Sequence, residues 1–337
     1  MFDSTKQATP VGETTRLFHK ILVATDFSDG ACSALAQAVW LAKLIGAEVT
    51  LAHAIPLTRD TMATFASNPW YVAANAEEIE HRLRHAADRR LREAIAPYRG
   101  QGVDLGYKTL WGTPFIEVIH AVQEEGFDLV VAGTRGLSAV SRFFIGSTAT
   151  RLVRKCPSPV WTVRQGAPEG VRTLLATTDF SEVSRKSVRL AADLARRTGG
   201  SLHVLHVDTA ASEYGLELFA DEEVQASAQR RRRRRKLVEQ VREFVRELEL
   251  PVEAKIVVET GDAWRRILTT ARRLSADLTV MGTLARGGVA GMVIGNTAEK
   301  VLHAASGSLL AIKPDGFVSP VPARASAVEA QPVGKPD

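Results

Sequence analysis

Three glycines and two hydroxyl side chains lie in one short stretch near the middle of the chain. Residues 133–136 read Gly-Thr-Arg-Gly, nine residues follow, and residues 146–148 read Gly-Ser-Thr. The apolar residues before this stretch predict a buried parallel strand, and those after it predict a helix. Glycine lets a backbone approach a ligand closely, and the first N–H groups of a helix favour negative charge. The spacing therefore predicts a cradle for nucleotide phosphates, with a plain strand-to-helix turn as the alternative.

A carboxylate, Asp26, ends a second apolar run, and Ser28 follows it as a candidate N-cap for the next helix. We interpret Asp26 as an acceptor for an adenine amine or a ribose hydroxyl, and the alternative is an aspartate that only shapes a turn. His53 lies in the next apolar run, where a core or strand-end histidine is the favoured interpretation.

The same pattern returns in the second half of the chain. Asp179 stands 153 positions after Asp26, and His206 stands 153 positions after His53. Gly282 and Gly295 stand 149 positions after Gly133 and Gly146. Internal repetition of alternating strands and helices predicts two α/β units, each a parallel sheet with helices on both faces.

The predicted fold is two tandem Rossmann-like domains, each a five-stranded parallel sheet flanked by helices. We expect a flexible N-terminus over residues 1–16, domains over residues 17–165 and 171–314, and a disordered tail rich in Pro and Ala over residues 315–337. Ligands of such sheets bind at the carboxyl ends of the strands, where strand order reverses. Asp26 and Gly133 can therefore face one crevice although they are far apart in sequence.

Composition narrows the class of protein. Of the 337 residues, 45% are hydrophobic and 24% are charged, which is typical of a globular protein. Two cysteines indicate a reducing compartment rather than a disulfide framework. Neither a signal peptide nor an apolar run of about 18 residues is present, so we expect a cytoplasmic protein with no membrane insertion. No cluster has zinc-ligand spacing, and no Walker motif or paired carboxylates indicate a catalyst of phosphoryl transfer.

Six consecutive arginines, residues 230–235, precede Lys236 inside a predicted long helix over residues 216–248. The favoured interpretation is a solvated helix whose arginines pair with acidic neighbours at residues 221–223 and at Glu239, Glu243 and Glu247. The alternative is a patch for polyanions such as nucleic acid or acidic lipid head groups. Because the net charge is only +5, nucleic acid is not an expected partner.

These motifs together resemble the universal stress protein family. The Ala-Thr-Asp-Phe-Ser run at residues 24–28 and the Gly-x2-Gly-x9-Gly-Ser pattern beginning at Gly133 carry the resemblance, and the latter is the ATP-binding signature of nucleotide-binding members. The repeat makes the chain a tandem member, and residues 295–299 and 309–315 are similar to the C-terminal half of E-type members. The resemblance covers about residues 17–314.

The resemblance implies a Rossmann-like fold, cytoplasmic stress physiology and bound ATP, with adenine near Asp26 and phosphates on the glycine loop. Mg²⁺ is expected to arrive with the ATP. Family members pair through their fifth strands, which here predicts pairing of residues 159–163 with residues 308–312, and a homodimer is a further expectation. The second half keeps the spacing but has Ala285 and Asn296 where the first has glycine and serine, so its binding of ATP stays open.

The leading hypothesis is an ATP-binding regulatory protein that is not an enzyme. A weak ATPase or adenylate-transfer enzyme and a non-nucleotide scaffold for an apolar or anionic ligand are the alternatives. The candidate nucleotide-binding residues are Ala24, Thr25, Asp26, Gly133, Thr134, Arg135, Gly136, Gly146, Ser147 and Thr148 in the first half, and Asp179, Gly282, Thr283, Gly295, Asn296 and Thr297 in the second.

Overall fold

Alternating strands and helices build both halves of the molecule. The computed structural model describes residues 17–56, 76–134, 146–209, 223–283, 294–305 and 307–324. The first half contains β1 (Lys20–Ala24), α1 (Asp29–Ile45), β2 (Glu48–Ile55), α2 (Ala76–Ile95), β3 (Leu105–Trp111), α3 (Pro114–Glu125), β4 (Leu129–Gly133), α4 (Ser147–Lys155) and β5 (Val160–Val163). The second contains β6 (Thr173–Thr178), α5 (Glu182–Thr198), β7 (Ser201–Asp208), α6 (Glu223–Glu247), β8 (Ala254–Thr260), α7 (Ala263–Arg273), β9 (Leu278–Gly282), α8 (Asn296–Ala304) and β10 (Ser308–Ile312).

The sequence pattern predicts a second helix over residues 76–98 and a third strand over residues 102–109, and the structure differs from both. The last turn of the predicted second helix, Ala96–Tyr98, is a short 3₁₀-helix, because Pro97 has no N–H to continue the α-helical hydrogen bonds. The third strand begins at Leu105 rather than at Gly102, and Gly102 has a φ of 79°, which belongs to a turn rather than a strand.

A ten-stranded sheet runs through the molecule in the order β3-β2-β1-β4-β5-β10-β9-β6-β7-β8. Strands are parallel within each half, and β5 and β10 pair antiparallel, with Trp161 opposite Leu310. The predicted pairing of the fifth strands within the chain is therefore confirmed. Each half has the doubly wound order in which the chain leaves β1 in one direction and β4 in the other, and this point of reversal is where ligands bind in open α/β sheets.

Helices cover both faces of the sheet. Successive residues of β1 alternate between two hydrophobic clusters: Ile21 and Val23 pack with α1, and Leu22 packs with α3 and α4. All three side chains are fully buried. Burial on both faces explains why the strands read as continuous apolar runs in the sequence.

Contacts between the halves continue beyond the paired strands. Lys313, directly after β10, is buried, and its Nζ donates to the carbonyl oxygens of Val153 at 2.6 Å and Arg154 at 2.9 Å. These carbonyls end α4, where a cation is favourable to the helix dipole. Arg154 also forms an ion pair with Glu299 of α8. The last helix of each half is therefore held against the other half.

The chain after Lys313 crosses back to the first half. Val321 is buried, and its carbonyl oxygen accepts a hydrogen bond from Gln123 at 3.2 Å. Arg324 forms ion pairs with Glu117 and Glu124 of α3. Val321 and Arg324 thus contact α3, within the stretch over which the sequence predicts a disordered tail, and residues 325–337 lie outside the described part.

Candidate nucleotide site

The turn after β1 and the start of the glycine loop leave the sheet side by side. β1 and β4 are neighbours, with Ala24 opposite Ala132, so Thr25 and Asp26 stand next to Gly133 and Thr134 at the carboxyl edge. Ala24, Thr25 and Asp26 are half-buried at this edge. The structure thus brings together two motifs that the sequence separates by about a hundred residues.

Hydrogen bonds fix the turn that carries Asp26. The Thr25 hydroxyl oxygen accepts from the Phe27 N–H at 2.9 Å, and an Asp26 carboxylate oxygen accepts from the Ser28 N–H at 3.0 Å. Phe27 has a φ of 64°, in the left-handed region that non-glycine residues rarely adopt. Asp26 therefore shapes a turn, and that turn stands at the carboxyl edge of the sheet.

A histidine supports the same turn from β2. The Nδ1 of His53 donates to the Thr25 carbonyl oxygen at 2.8 Å, and its ring lies 4.5 Å from that of Phe27. Burial lowers the pKa of His53, which the hydrogen bond to Thr25 only partly offsets. A neutral ring that donates through Nδ1 is consistent with a structural histidine.

Sequence patterns gave no signal for Arg90. Its guanidinium lies 4.0 Å from the centre of the Phe27 ring, and its charge contributes to lowering the pKa of His53. The side chain is exposed on α2. A positive charge thus stands beside the Asp26 turn because of tertiary packing that no spacing in the sequence reveals.

Gly133 allows the end of β4 to pack closely against the start of α1. A Cβ at this position would lie 2.5 Å from the carbonyl carbon of Gly30 and 2.6 Å from its oxygen. The strand and the start of α1 therefore touch backbone to backbone, which our interpretation of the glycines as ligand contacts missed. The signal for this contact in the sequence would have been a pair of glycines, one at the end of β4 and one at the start of α1, where the two elements meet.

The end of the loop is tied to its beginning. The Gly146 N–H donates to the Thr134 carbonyl oxygen at 2.8 Å, and the Thr134 N–H donates to Val163 at 2.9 Å. Residues 135–145 lie outside the described part, and with them the candidate residues Arg135 and Gly136. The described anchors nevertheless place the start of α4 directly beside the end of β4.

The N-terminus of α4 suits an anion. Gly146 is the N-cap, with no side-chain hydrogen bond to the first turn, and no acidic residue lies in that turn. Arg154 and Lys155 occupy the last turn, which complements the dipole. Ser147 is exposed and Thr148 half-buried. The first turn of α4, with two hydroxyl side chains and no acidic residue, therefore begins beside the end of β4, and these are groups that bind phosphate.

Comparison with known proteins identifies the family to which the chain belongs. The universal stress protein family model matches residues 17–164 and again residues 170–313. The chain belongs to the universal stress protein family. It is 28% identical over 323 residues to Universal stress protein E of Salmonella typhi, and 27% identical over 325 residues to the protein of the same name in Escherichia coli K12. Each alignment covers 90% of this chain and 97% of the relative, so the chain is a tandem member similar to the E-type.

Solved structures show the same fold. A functionally unknown protein from Pseudomonas aeruginosa PAO1 aligns with a TM-score of 0.61 and 23% identity, covering 88% of this chain and 93% of that one. A universal stress protein from Archaeoglobus fulgidus aligns with a TM-score of 0.58 and 20% identity, covering 87% and 98%. The Rossmann-like tandem architecture is thus shared.

The second half of this universal stress protein repeats the turn. The Ser181 N–H donates to Asp179 at 3.1 Å, Phe180 has a φ of 65°, and His206 Nδ1 lies 2.9 Å from the carbonyl oxygen of Thr178. The loop is again closed, from Gly295 N–H to the Thr283 carbonyl oxygen at 2.7 Å. Residues 284–293, including Ala285, lie outside the described part.

The second helix start differs in charge and side chains. Asn296 is exposed and Thr297 half-buried, as their first-half counterparts are. Glu299, however, lies in the first turn of α8, where the equivalent turn of α4 has no acidic residue. A carboxylate in the first turn of a helix disfavours a second anion there, and this one also forms an ion pair with Arg154.

A separate cavity of about 410 Å³ lies at the opposite, amino end of β9 and β10. The residues between the two halves and helix α7 enclose it, and Trp161, Arg164, Val171, Leu268, Ala271 and Ser308 are among its lining residues. It therefore does not belong to the Asp26 crevice. Within the described ranges, no three His, Cys, Asp or Glu side chains cluster as metal ligands, and no helix has the length and apolar character of a membrane span.

Proposed function

We propose that the first half binds ATP and that the protein is a nucleotide-dependent regulator in the stress response. The juxtaposition that carries this proposal is the uncapped start of α4, fixed to Thr134, beside the turn of Asp26. Phosphates would bind at Gly146, Ser147 and Thr148, and the adenine at Asp26. The Gly-x2-Gly-x9-Gly-Ser pattern supports ATP as the nucleotide, because it resembles the signature of nucleotide-binding family members.

A regulatory role is supported by where α4 ends. Its first turn belongs to the proposed phosphate site, and its last carbonyls accept hydrogen bonds from Lys313 of the second half. A shift of this nine-residue helix on nucleotide binding would therefore change contacts between the halves. We expect ATP to be held rather than consumed, because the sequence has neither a Walker motif nor paired carboxylates beside the glycine loop. Mg²⁺ would arrive with the nucleotide.

The second half is proposed to bind ATP more weakly or not at all, because Glu299 adds negative charge at its helix start. Pairing of β5 with β10 uses the edge through which family members pair. A homodimer would therefore need another surface. A cytoplasmic location remains part of the proposal.

The direct test is to count the nucleotide that copurifies. Full-length protein is denatured by heat, and the released small molecules are separated by chromatography. We expect about one adenine nucleotide per chain and no turnover of added ATP with Mg²⁺ above background. Sustained turnover would instead favour the weak ATPase, and absence of nucleotide after gentle purification would favour the scaffold.

Matched valine substitutions then locate the site. Gly146 has φ −57° and ψ 147°, and Gly295 has φ −76° and ψ 151°, so both backbones accommodate valine and the fold should survive. Gly146→Val places a branched side chain over the first turn of α4 and should abolish nucleotide retention. Gly295→Val should leave it unchanged. The reverse outcome would place the nucleotide in the second half.

A further inference from the structure

Arg233 is the one member of the arginine run with an ion pair inside the described part of the chain. Its guanidinium donates to both carboxylate oxygens of Asp208, at 2.5 and 2.9 Å, and the Asp208 side chain is only 7% exposed. Asp208 ends β7. The Arg233 side chain is 53% exposed, but its guanidinium fixes this part of α6 to the carboxyl edge of the second sheet.

The neighbouring arginines must point away from that anchor. Successive helical residues are rotated by about 100°, so Arg231 and Arg235 project opposite to Arg233, with Arg232 and Arg234 at their flanks. All four are exposed. We name these four residues the arginine ridge.

Downstream acidic residues do not neutralise the ridge. Glu239 forms ion pairs with Arg242 and Arg246, and Glu247 forms one with Arg185. Among the residues described, no ion pair reaches Arg231, Arg232, Arg234 or Arg235. The described chain therefore shows no pairing of the ridge with Glu239, Glu243 or Glu247, and the acidic side chains at residues 221–223 lie outside the described part.

The first half has no such ridge at the equivalent place. Aligning the buried residues Leu91 and Ile95 with Phe244 and Leu248 puts residues 78–82 opposite the ridge. There α2 carries Glu78 paired with Arg82, and Glu80 paired with Arg84. The acidic residues at these positions of α2 form ion pairs with arginines, whereas the ridge on α6 has no ion pair among the described residues.

Charge density selects the kind of partner. The four guanidiniums of the ridge occupy about 6 Å of helix axis, at about 1.5 Å per residue. Duplex nucleic acid carries one negative charge per about 1.7 Å, a comparable density. We propose that the arginine ridge docks on the phosphate backbone of duplex nucleic acid, independently of base sequence.

Neighbouring residues argue against other polyanions. Leu237 and Val238 pack on the protein core, so the ridge lacks the exposed apolar face with which interfacial helices enter a lipid surface. The large hydrophobic residues that are exposed in the described chain are Tyr107 on β3 and Val318 after β10. Neither lies on α6 to stack bases, as single-strand binding requires.

The test measures binding of the full-length protein to fluorescently labelled DNA duplexes of two unrelated sequences, by anisotropy at several salt concentrations. We expect equal affinity for both and a log–log salt slope of about −3 to −4, from about −0.9 per phosphate contacted. The double variant Arg231→Glu, Arg235→Glu should bind at least tenfold more weakly and lose about two units of slope.

The matched control is Arg242→Glu, Arg246→Glu, which makes the same charge change on the same helix. It should bind within about threefold of the wild type, since only the ridge contacts phosphate. Circular dichroism of both variants checks that the helix is intact. Equal weakening by the control, tighter binding to anionic phospholipid vesicles than to DNA, or no binding at low salt would overturn the proposal.

Discussion

The two halves build the same turn after their first strand yet surround it with different groups. In the first, the Arg90 guanidinium lies 4.0 Å from the centre of the Phe27 ring, whereas in the second the ring of Phe244 lies 5.4 Å from that of Phe180. The first half thus places a cation directly on the phenylalanine of its turn, whereas the second places an aromatic ring there, with the Arg185 guanidinium 4.9 Å from the centre of that Phe244 ring. The two halves share the hydrogen bonds that the aspartate and the histidine make to the turn, and they differ in the charged residues around it.

A further contrast lies where each half ends. Arg164 and Lys313 are equivalent, 149 positions apart, but Arg164 is exposed and Lys313 is buried on the carbonyl groups that end α4. The second half therefore supports the helix of the proposed site in the first half. The two halves are therefore structurally asymmetric, because the second contributes a side chain to a helix end of the first.

Glycine packing should give the largest difference between the halves. Gly133→Ala forces a Cβ to within 2.5 Å of the Gly30 backbone, and we expect it to lower the free energy of unfolding by about 3 kcal/mol. Gly282→Ala meets a methyl group of Val183 at 2.8 Å, which can shift, so we expect a loss of about 1 kcal/mol. Urea denaturation followed by circular dichroism measures both.

Gly106→Ala is the control for these two variants. The nearest atom to its new Cβ would be the Thr50 hydroxyl oxygen at 3.8 Å, an ordinary contact, so stability should change by less than about 0.5 kcal/mol. Equal losses at Gly133 and Gly282 would show that the tighter backbone contact of the first half has no energetic consequence.

Lys313 should give a pH dependence that Arg164 does not. Burial lowers the pKa of Lys313 from 10.5 to about 8, so between these values the unfolded chain binds more protons than the folded one. The contribution of Lys313 to the free energy of unfolding therefore rises as the pH increases through this range, by at most about 3 kcal/mol. Thermal unfolding at pH 7.5 and pH 10, each compared with Lys313→Met, isolates this contribution from other titrating groups.

An unchanged difference between wild type and Lys313→Met at the two pH values would mean that Lys313 is not desolvated. Arg164→Met is the matched control at the equivalent position. Because Arg164 is exposed and arginine stays charged throughout this range, its difference from the wild type should not vary with pH.

Local patterns predicted the repeat, the order of elements and the pairing of β5 with β10, because strand periodicity and duplicated motifs are read along the chain. They also placed Asp26 and the glycine loop at one edge, since parallel strands share their carboxyl ends. What they missed depends on partners distant in sequence. The role of Gly133 is visible only from its contact with the Gly30 backbone, and that of Arg233 only from its ion pair with Asp208.

Composition gave no signal for the contacts that the chain makes just after residue 315. Residues 315–337 are rich in Pro and Ala, which predicts disorder, yet Arg324 reaches Glu117 and Glu124, and Val321 is buried. No local rule shows that α3 presents two carboxylates to the end of the chain. The sequence predicted which motifs lie at the carboxyl edge of the sheet, but it did not predict which charged side chains surround them, such as Arg90.

The smallest expected effect is on base selectivity, and it tests Asp26 against Asp179. Adenine presents an amine where guanine presents a carbonyl, so a carboxylate acceptor favours adenine. Asp26→Asn keeps an oxygen to accept from the Ser28 N–H and adds a donor for guanine. We expect the preference for ATP over GTP to fall about tenfold, or about 1.4 kcal/mol, in competition binding measured by isothermal titration calorimetry.

Asp179→Asn is the control, since its turn makes the same hydrogen bond from Ser181 but lies outside the proposed ATP site. It should leave the ratio of ATP to GTP affinity unchanged. If Asp179→Asn changed the ratio and Asp26→Asn did not, the nucleotide would belong to the second half. If neither changed it, both aspartates would serve only their turns, and selectivity for adenine would have to come from backbone groups at the same edge.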